Sequence, residues 1–90
     1  MTEESPWRII IQRQAKRQLR RLSADVLKRI STALDEIAKD PHAGEHLQGF
    51  EYRKWRVGSW RIIYQIEEDR LIVLVIDLGA RGEIYRRLNR

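Results

Sequence analysis

Ninety residues, 34% of them charged and 42% hydrophobic, make one modest domain spanning 1–90. The chain has no cysteine, which excludes disulfides and cysteine-ligated zinc and fits a reducing cytoplasm. A formal net charge of +5 favours a polyanionic partner, nucleic acid first. Met1 to Pro6 is polar and acidic and reads as no signal peptide, and the longest apolar run, Leu71 to Ile76, is too short to span a bilayer.

In chain order, Trp7-Arg8-Ile9-Ile10-Ile11 is β-branched and aromatic, which predicts a strand. Gln12 to Leu22 places Ala15, Leu19 and Leu22 at helical spacing, with Arg13, Lys16, Arg17, Arg20 and Arg21 on a basic outer face. Ser23 is a candidate N-cap, with Asp25 in the first turn of the next helix. Val26, Leu27, Ile30, Ala33, Leu34, Ile37 and Ala38 form the apolar stripe of that helix, while Lys28 and Arg29 extend the basic tract. Asp40-Pro41 ends it, because proline disfavours the helical conformation in the residue before it. Residues 41–50 read as a loop. Three strands are then predicted: Tyr52 to Val57, Trp60 to Ile66 after a tight Gly58-Ser59 turn, and Arg70 to Leu78 after an acidic turn at Glu67, Glu68 and Asp69. Gly79 is expected to break the last strand, and Glu83 to Leu88 to add one or two helical turns. The order gives an α+β fold: an N-terminal strand, a two-helix hairpin and a three-stranded antiparallel meander, with the helices on one face of an antiparallel sheet.

Side chains alternate along a strand, so Tyr52, Lys54 and Arg56 share one face while Arg53, Trp55 and Val57 share the other. Trp55 and Val57 suit the core. In the next strand Trp60, Ile62 and Tyr64 face one way and Arg61, Ile63 and Gln65 the other, and a hairpin brings Arg61 near Arg56. Clustered cations repel, so the pattern reads either as a seat for an anion or as a solvated face whose charges discourage edge pairing. Arg81 follows the last strand. If residues 81–85 are helical, Tyr85 lies on its face of that turn.

The stretch Tyr52-Arg53-Lys54-Trp55-Arg56-Val57-Gly58-Ser59-Trp60-Arg61-Ile62-Ile63-Tyr64, followed by Gly79-Ala80-Arg81-Gly82-Glu83-Ile84-Tyr85-Arg86, resembles the RelE branch of the RelE/ParE toxin superfamily. The resemblance implies the toxin of a type II toxin–antitoxin system, cytoplasmic, partnered by a RelB-like antitoxin. It implies an endoribonuclease that enters the A site of the 30S ribosome and cuts mRNA by attack of the ribose 2′-OH on the adjacent phosphate, with no metal or other cofactor. It implies that Lys54, Arg61, Arg81 and Tyr85 are catalytic and that Arg56 and Tyr52 bind RNA. Arg61 and Lys54 would stabilise the phosphorane oxygens. Tyr85 would stack on a base or accept the 2′-OH proton, which requires surrounding cations to lower a pKa of about 10. Arg81 would stabilise the leaving 5′-oxygen, since a guanidinium is a poor proton donor. Arg56 stands where the best-known member has lysine, which leaves Lys54 as the remaining lysine for a base. The basic helix residues Arg13, Lys16, Arg17, Arg20, Arg21, Lys28 and Arg29 would grip ribosomal RNA phosphates.

His42 and His46 follow a proline and flank Gly44, with Glu45 as the only near carboxylate, and no metal site is expected from them. No histidine or glutamate is expected within the cationic strand surface, which separates the chain from relatives that use one. Free RNA is expected to escape cleavage. The alternatives are a ParE-like inhibitor of DNA gyrase without nuclease chemistry and a noncatalytic nucleic-acid-binding module or decayed toxin. Fold alone does not choose among them.

Overall fold

The computed structural model describes residues 6–49, 51–80 and 84. Strand β1 (Arg8–Ile11) leads into helix α1 (Arg13–Leu19) and helix α2 (Ala24–Lys39). A 3-10 turn at Pro41–Ala43 precedes strand β2 (Glu45–His46). Strands β3 (Arg53–Val57) and β4 (Trp60–Glu67) form a hairpin, and a second 3-10 turn, Glu68–Arg70, leads to β5 (Ile72–Ala80). The five strands form one sheet in the order β1-β5-β4-β3-β2.

The helical hairpin and the antiparallel meander stand where the sequence places them. α2 starts at Ser23, whose hydroxyl accepts the Val26 N–H at 3.4 Å. Its buried stripe is Ile30, Ala33 and Ile37, while Leu27, expected in that stripe, is exposed. α1 is shorter than expected. Arg21 and Leu22 bond to carbonyls three residues back, so the chain tightens out of the helix after Leu19. Ala15, Ile30, Ala33 and Ile37 pack with Ile62, Tyr64, Val73, Val75 and Leu78, which puts both helices on one sheet face.

Four expectations are corrected. The sheet is mixed, because β1 pairs in parallel with β5, Arg8 to Ile11 opposite Ile72 to Val75. Residues 41–50 contain a strand, since Glu45 pairs with Lys54 and His46 with Arg53. Gly79 lies within β5, where β4 pairs with it through Arg61 and carries the ladder on to Ala80. β5 begins two residues late, because Leu71 takes a left-handed conformation at φ 53° and interrupts extension.

A bulge interrupts the β4–β5 ladder. Ile63 opposes Asp77 but Tyr64 opposes Val75, leaving Ile76 as the extra residue. Ile62, Ile63 and Tyr64 are all fully buried despite alternation. The reason is a second small cluster on the face away from the helices, where Leu47 and Ile84 cover Ile63 and are flanked by Tyr52 and Ile76.

Tyr64 closes the main core. Its Oη donates to the Pro41 carbonyl at 2.6 Å. Burial pushes its phenol up to about 12, against the opposing pull of the Arg53 guanidinium. The unfolded chain therefore ionises first, near pH 10. The contribution of Tyr64 to stability is complete below about pH 10 and is lost as pH rises from about 10 to about 12, at about 1.4 kcal/mol per pH unit. Urea titrations of wild type and Tyr64→Phe across that range are expected to converge as the wild type loses stability faster. Parallel slopes would show that the phenol is not held neutral.

Candidate functional site

The β3–β4 hairpin builds the cationic surface. Gly58 adopts φ +61°, the left-handed conformation a two-residue hairpin turn requires. The turn fixes the register, with Val57 opposite Trp60, Arg56 opposite Arg61 and Lys54 opposite Ile63. Trp55, Val57, Trp60, Ile62 and Tyr64 belong to the helix-side core, so Lys54, Arg56 and Arg61 present on the other face, as alternation predicts. Two arginines directly opposite in a ladder repel. Such a pairing suits an anion lying across both.

Arg61 carries the plainest sign of a ligand. Its Nε is buried with no hydrogen-bond partner among the described residues, and its Nη1 reaches only the Ser59 carbonyl, at 3.5 Å. A buried donor on a charged group left without an acceptor is costly. An oxyanion brought to the outer nitrogens of this guanidinium would offset its charge.

Sequence reasoning missed two acids at this surface. β2 places Glu45 beside Lys54, and its Oε2 lies 3.5 Å from both Lys54 Nζ and Arg56 Nη2. The expectation that no glutamate enters the cationic surface is therefore corrected. The residue was hidden because its strand is two polar residues long and has no apolar alternation. The second acid, Asp77, is 3% exposed and stands opposite Ile63, on the face that carries Arg61. Its Oδ1 accepts the Leu78 N–H at 2.8 Å. Asp77 sits within an apolar run of β5, and a lone acid in such a run was the available signal.

The basic helix residues divide into two groups. Arg13, Lys16, Arg17 and Arg20 line one recess on α1. Arg29 instead lies over the hairpin turn, where its Nη2 would stand 2.6 Å from a Cβ added at Gly58. It thus joins the Arg56–Arg61 end of the sheet. Gly58→Ala is expected to destabilise the protein by about 1–2 kcal/mol through the left-handed backbone and to displace Arg29. Urea denaturation checks the first effect. A Gly58→Asn variant, which tolerates that backbone better, should recover part of the loss.

Tyr52 shares the expected face and is half-buried beside the Leu47–Ile63–Ile84 cluster. Arg21 and Lys28 are exposed. Arg81 and Tyr85 lie outside the described residues, as do the expected helical turns at Glu83 to Leu88 apart from Ile84, which is helical and buried. His42 pairs with the Glu68 carboxylate and stacks edge-on against Trp7. It lines a recess with His46, Glu51 and Glu68. Among the described residues, no three His, Asp or Glu side chains are grouped to hold a metal ion. No described helix is long and apolar enough to cross a membrane.

The family profile of ParE toxins of type II toxin–antitoxin systems matches residues 9–85. No curated protein sequence matches the chain. Solved structures share its fold. The toxin–antitoxin complex RelBE2 from Mycobacterium tuberculosis contains a chain that is 21% identical, with 84% of this chain and 99% of that one aligned at a TM-score of 0.78. The intact RelBE toxin–antitoxin complex of E. coli gives 23% identity over 84% of this chain and 98% of that one, at 0.76. The isolated E. coli RelE toxin gives 23% over 92% and 95%, at 0.74.

Proposed function

The chain belongs to the ParE toxin family, within the RelE/ParE superfamily of type II toxin–antitoxin toxins, and from its cationic strand face we propose that it is a ribosome-dependent, metal-independent endoribonuclease that cuts mRNA in the A site. The observation that carries this reading is the directly opposed Arg56–Arg61 pair, with Lys54 on the same face and the Arg61 Nε buried without an acceptor among the described residues.

In the proposed reaction a ribose 2′-OH attacks the adjacent phosphorus. Its proton passes to a base and the P–O5′ bond breaks. The leaving 5′-oxygen takes up a proton, so the products are a 2′,3′-cyclic phosphate and a 5′-OH. Arg61 and Lys54 stabilise the charge growing on the non-bridging oxygens. Arg56 holds phosphate through its planar fork. Arg81 offsets charge on the leaving 5′-oxygen, and Tyr85 stacks on a base or takes the 2′-OH proton. The cationic recess of Arg13, Lys16, Arg17 and Arg20 docks on ribosomal RNA, the exposed Arg21 and Lys28 add further phosphate contacts, and Arg29 adds one at the hairpin turn. The protein acts in the cytoplasm and is held inactive by an antitoxin, as the RelBE complexes with the same fold suggest.

Primer extension on mRNA bound to translating ribosomes tests this reading. Cuts confined to the A-site codon with wild-type protein, and absent with an Arg81→Ala, Tyr85→Phe double variant, are expected. Uncut mRNA with folded protein would sink it. The match to ParE toxins favours a second reading, inhibition of DNA gyrase without nuclease chemistry. That reading predicts blocked gyrase supercoiling that survives the same double substitution.

A further inference from the structure

We propose that Glu45 is a resident counter-ion of the cationic site, an internal carboxylate that holds the place of a substrate phosphate between Lys54 and Arg56 and yields it when RNA binds. The identity of the anion rests on the nuclease reading; the competition for an anion does not.

The geometry is that of a placeholder. One carboxylate oxygen, Oε2, lies 3.5 Å from a nitrogen of each cation, much as one non-bridging phosphate oxygen would be shared. Lys54 has a mostly buried side chain and lies on the face of the opposed Arg56–Arg61 pair. The Glu45 carboxylate beside Arg56 relieves part of that repulsion.

The backbone under Glu45 is fastened. β2 pairs Glu45 with Lys54. Arg53 Nη1 donates to the Gly44 carbonyl at 2.9 Å and to the His42 carbonyl at 3.3 Å. Tyr64 anchors Pro41 from the core. The carboxylate itself is loosely held. The Glu45 side chain is 58% exposed, and its two ionic contacts exceed the 2.7–2.9 Å typical of charge-assisted hydrogen bonds. A rigid backbone with a weakly bound, solvent-facing charge lets the side chain rotate out while the cations stay in place. A phosphodiester offers the same charge with better geometry, because Arg56 can grip it bidentately. Binding must displace Glu45, so the carboxylate lowers affinity for any anion that lacks enough additional contacts. On this account it disfavours stray RNA.

The test is fluorescence anisotropy with a labelled short single-stranded deoxyoligonucleotide, which lacks the 2′-OH and is not cut. Glu45→Gln is expected to tighten binding by about three- to tenfold, a modest gain because the carboxylate is exposed and screened. Glu45→Ala should do the same without an amide to make new hydrogen bonds. Glu67→Gln changes net charge equally but pairs with Arg70 elsewhere, and should change binding by less than about twofold. No gain in Glu45→Gln, or equal gains in Glu45→Gln and Glu67→Gln, overturns the proposal. Cleavage on ribosomes is measured separately. If wild type fails to cut while Glu45→Gln still tightens binding, the nuclease reading falls and the counter-ion stands. If wild type cuts and Glu45→Gln loses cutting with unchanged binding, the counter-ion falls and Glu45 acts on the 2′-OH proton instead.

Discussion

Arg61→Ala is expected to slow cleavage of ribosome-bound mRNA by about 100- to 1,000-fold, the usual consequence of removing one preorganised donor from a developing oxyanion. On the nuclease reading the loss should fall on kcat, because the guanidinium would meet its full acceptor only as charge grows on the phosphorane. Stability should change little. Among the described residues the head group has an unpartnered buried Nε and one long bond to the Ser59 carbonyl, so the described fold depends on it weakly. Arg61→Lys keeps the charge but not the fork, and should remain at least about tenfold below wild type. Quantitative primer extension alongside urea denaturation separates the two effects. An Arg61→Ala protein that is folded and cuts at the wild-type rate would remove Arg61 from the chemistry.

Gly44→Ala is expected to be the most destabilising small substitution, at about 3 kcal/mol, beyond ordinary overpacking because a buried hydrogen bond is strained as well. The cause is space and not conformation, since Gly44 sits at φ −68°, which any residue adopts. An added Cβ would stand 2.8 Å from the Tyr64 Cζ and closer still to its Oη. The ring is fully buried against both helices and cannot retreat without disturbing the core. Tyr64→Phe in the Gly44→Ala background removes the nearest atom. The pair should therefore be less destabilised than the sum of the single changes, by more than about 0.5 kcal/mol. Additive urea midpoints would show that the two residues are not in contact.

The contrast between these two residues shows what the sequence makes legible. The position of Arg61 follows from a period of two and a two-residue turn, which together fix face and register. Lys54 and Arg56 are readable for the same reason, with Trp55 and Val57 marking the core side. Gly44 is unreadable locally. Its constraint comes from Tyr64, twenty positions away in sequence, and only the packed fold brings them together. Glu45 is hidden likewise, because a two-residue polar strand is defined by its partner β3 and not by its own pattern. Gly79 misleads in the opposite direction. Alone it argues for a strand end, but β4 supplies a partner on one side and keeps it extended. Leu27 matches the helical spacing yet lies at the rim of the stripe, where the sheet does not cover it.

The parallel pairing of β1 with β5 bears on when this protein becomes harmful. Residues 8–11 pair as a strand with residues 72–75, and the Arg8 N–H bonds to the Leu71 carbonyl. α1 also leans mainly on β5, and β4 is flanked by β5 along its full length. Contacts so distant in sequence form late, because the intervening chain must first be closed into a loop. A nascent chain that ends before residue 72 therefore lacks the strand on which its first strand, its first helix and the Arg61 strand all rely. The β3–β4 hairpin that carries Arg56 and Arg61 pairs locally, but the strand that backs it along β4 is supplied only once residues 72–80 have been made.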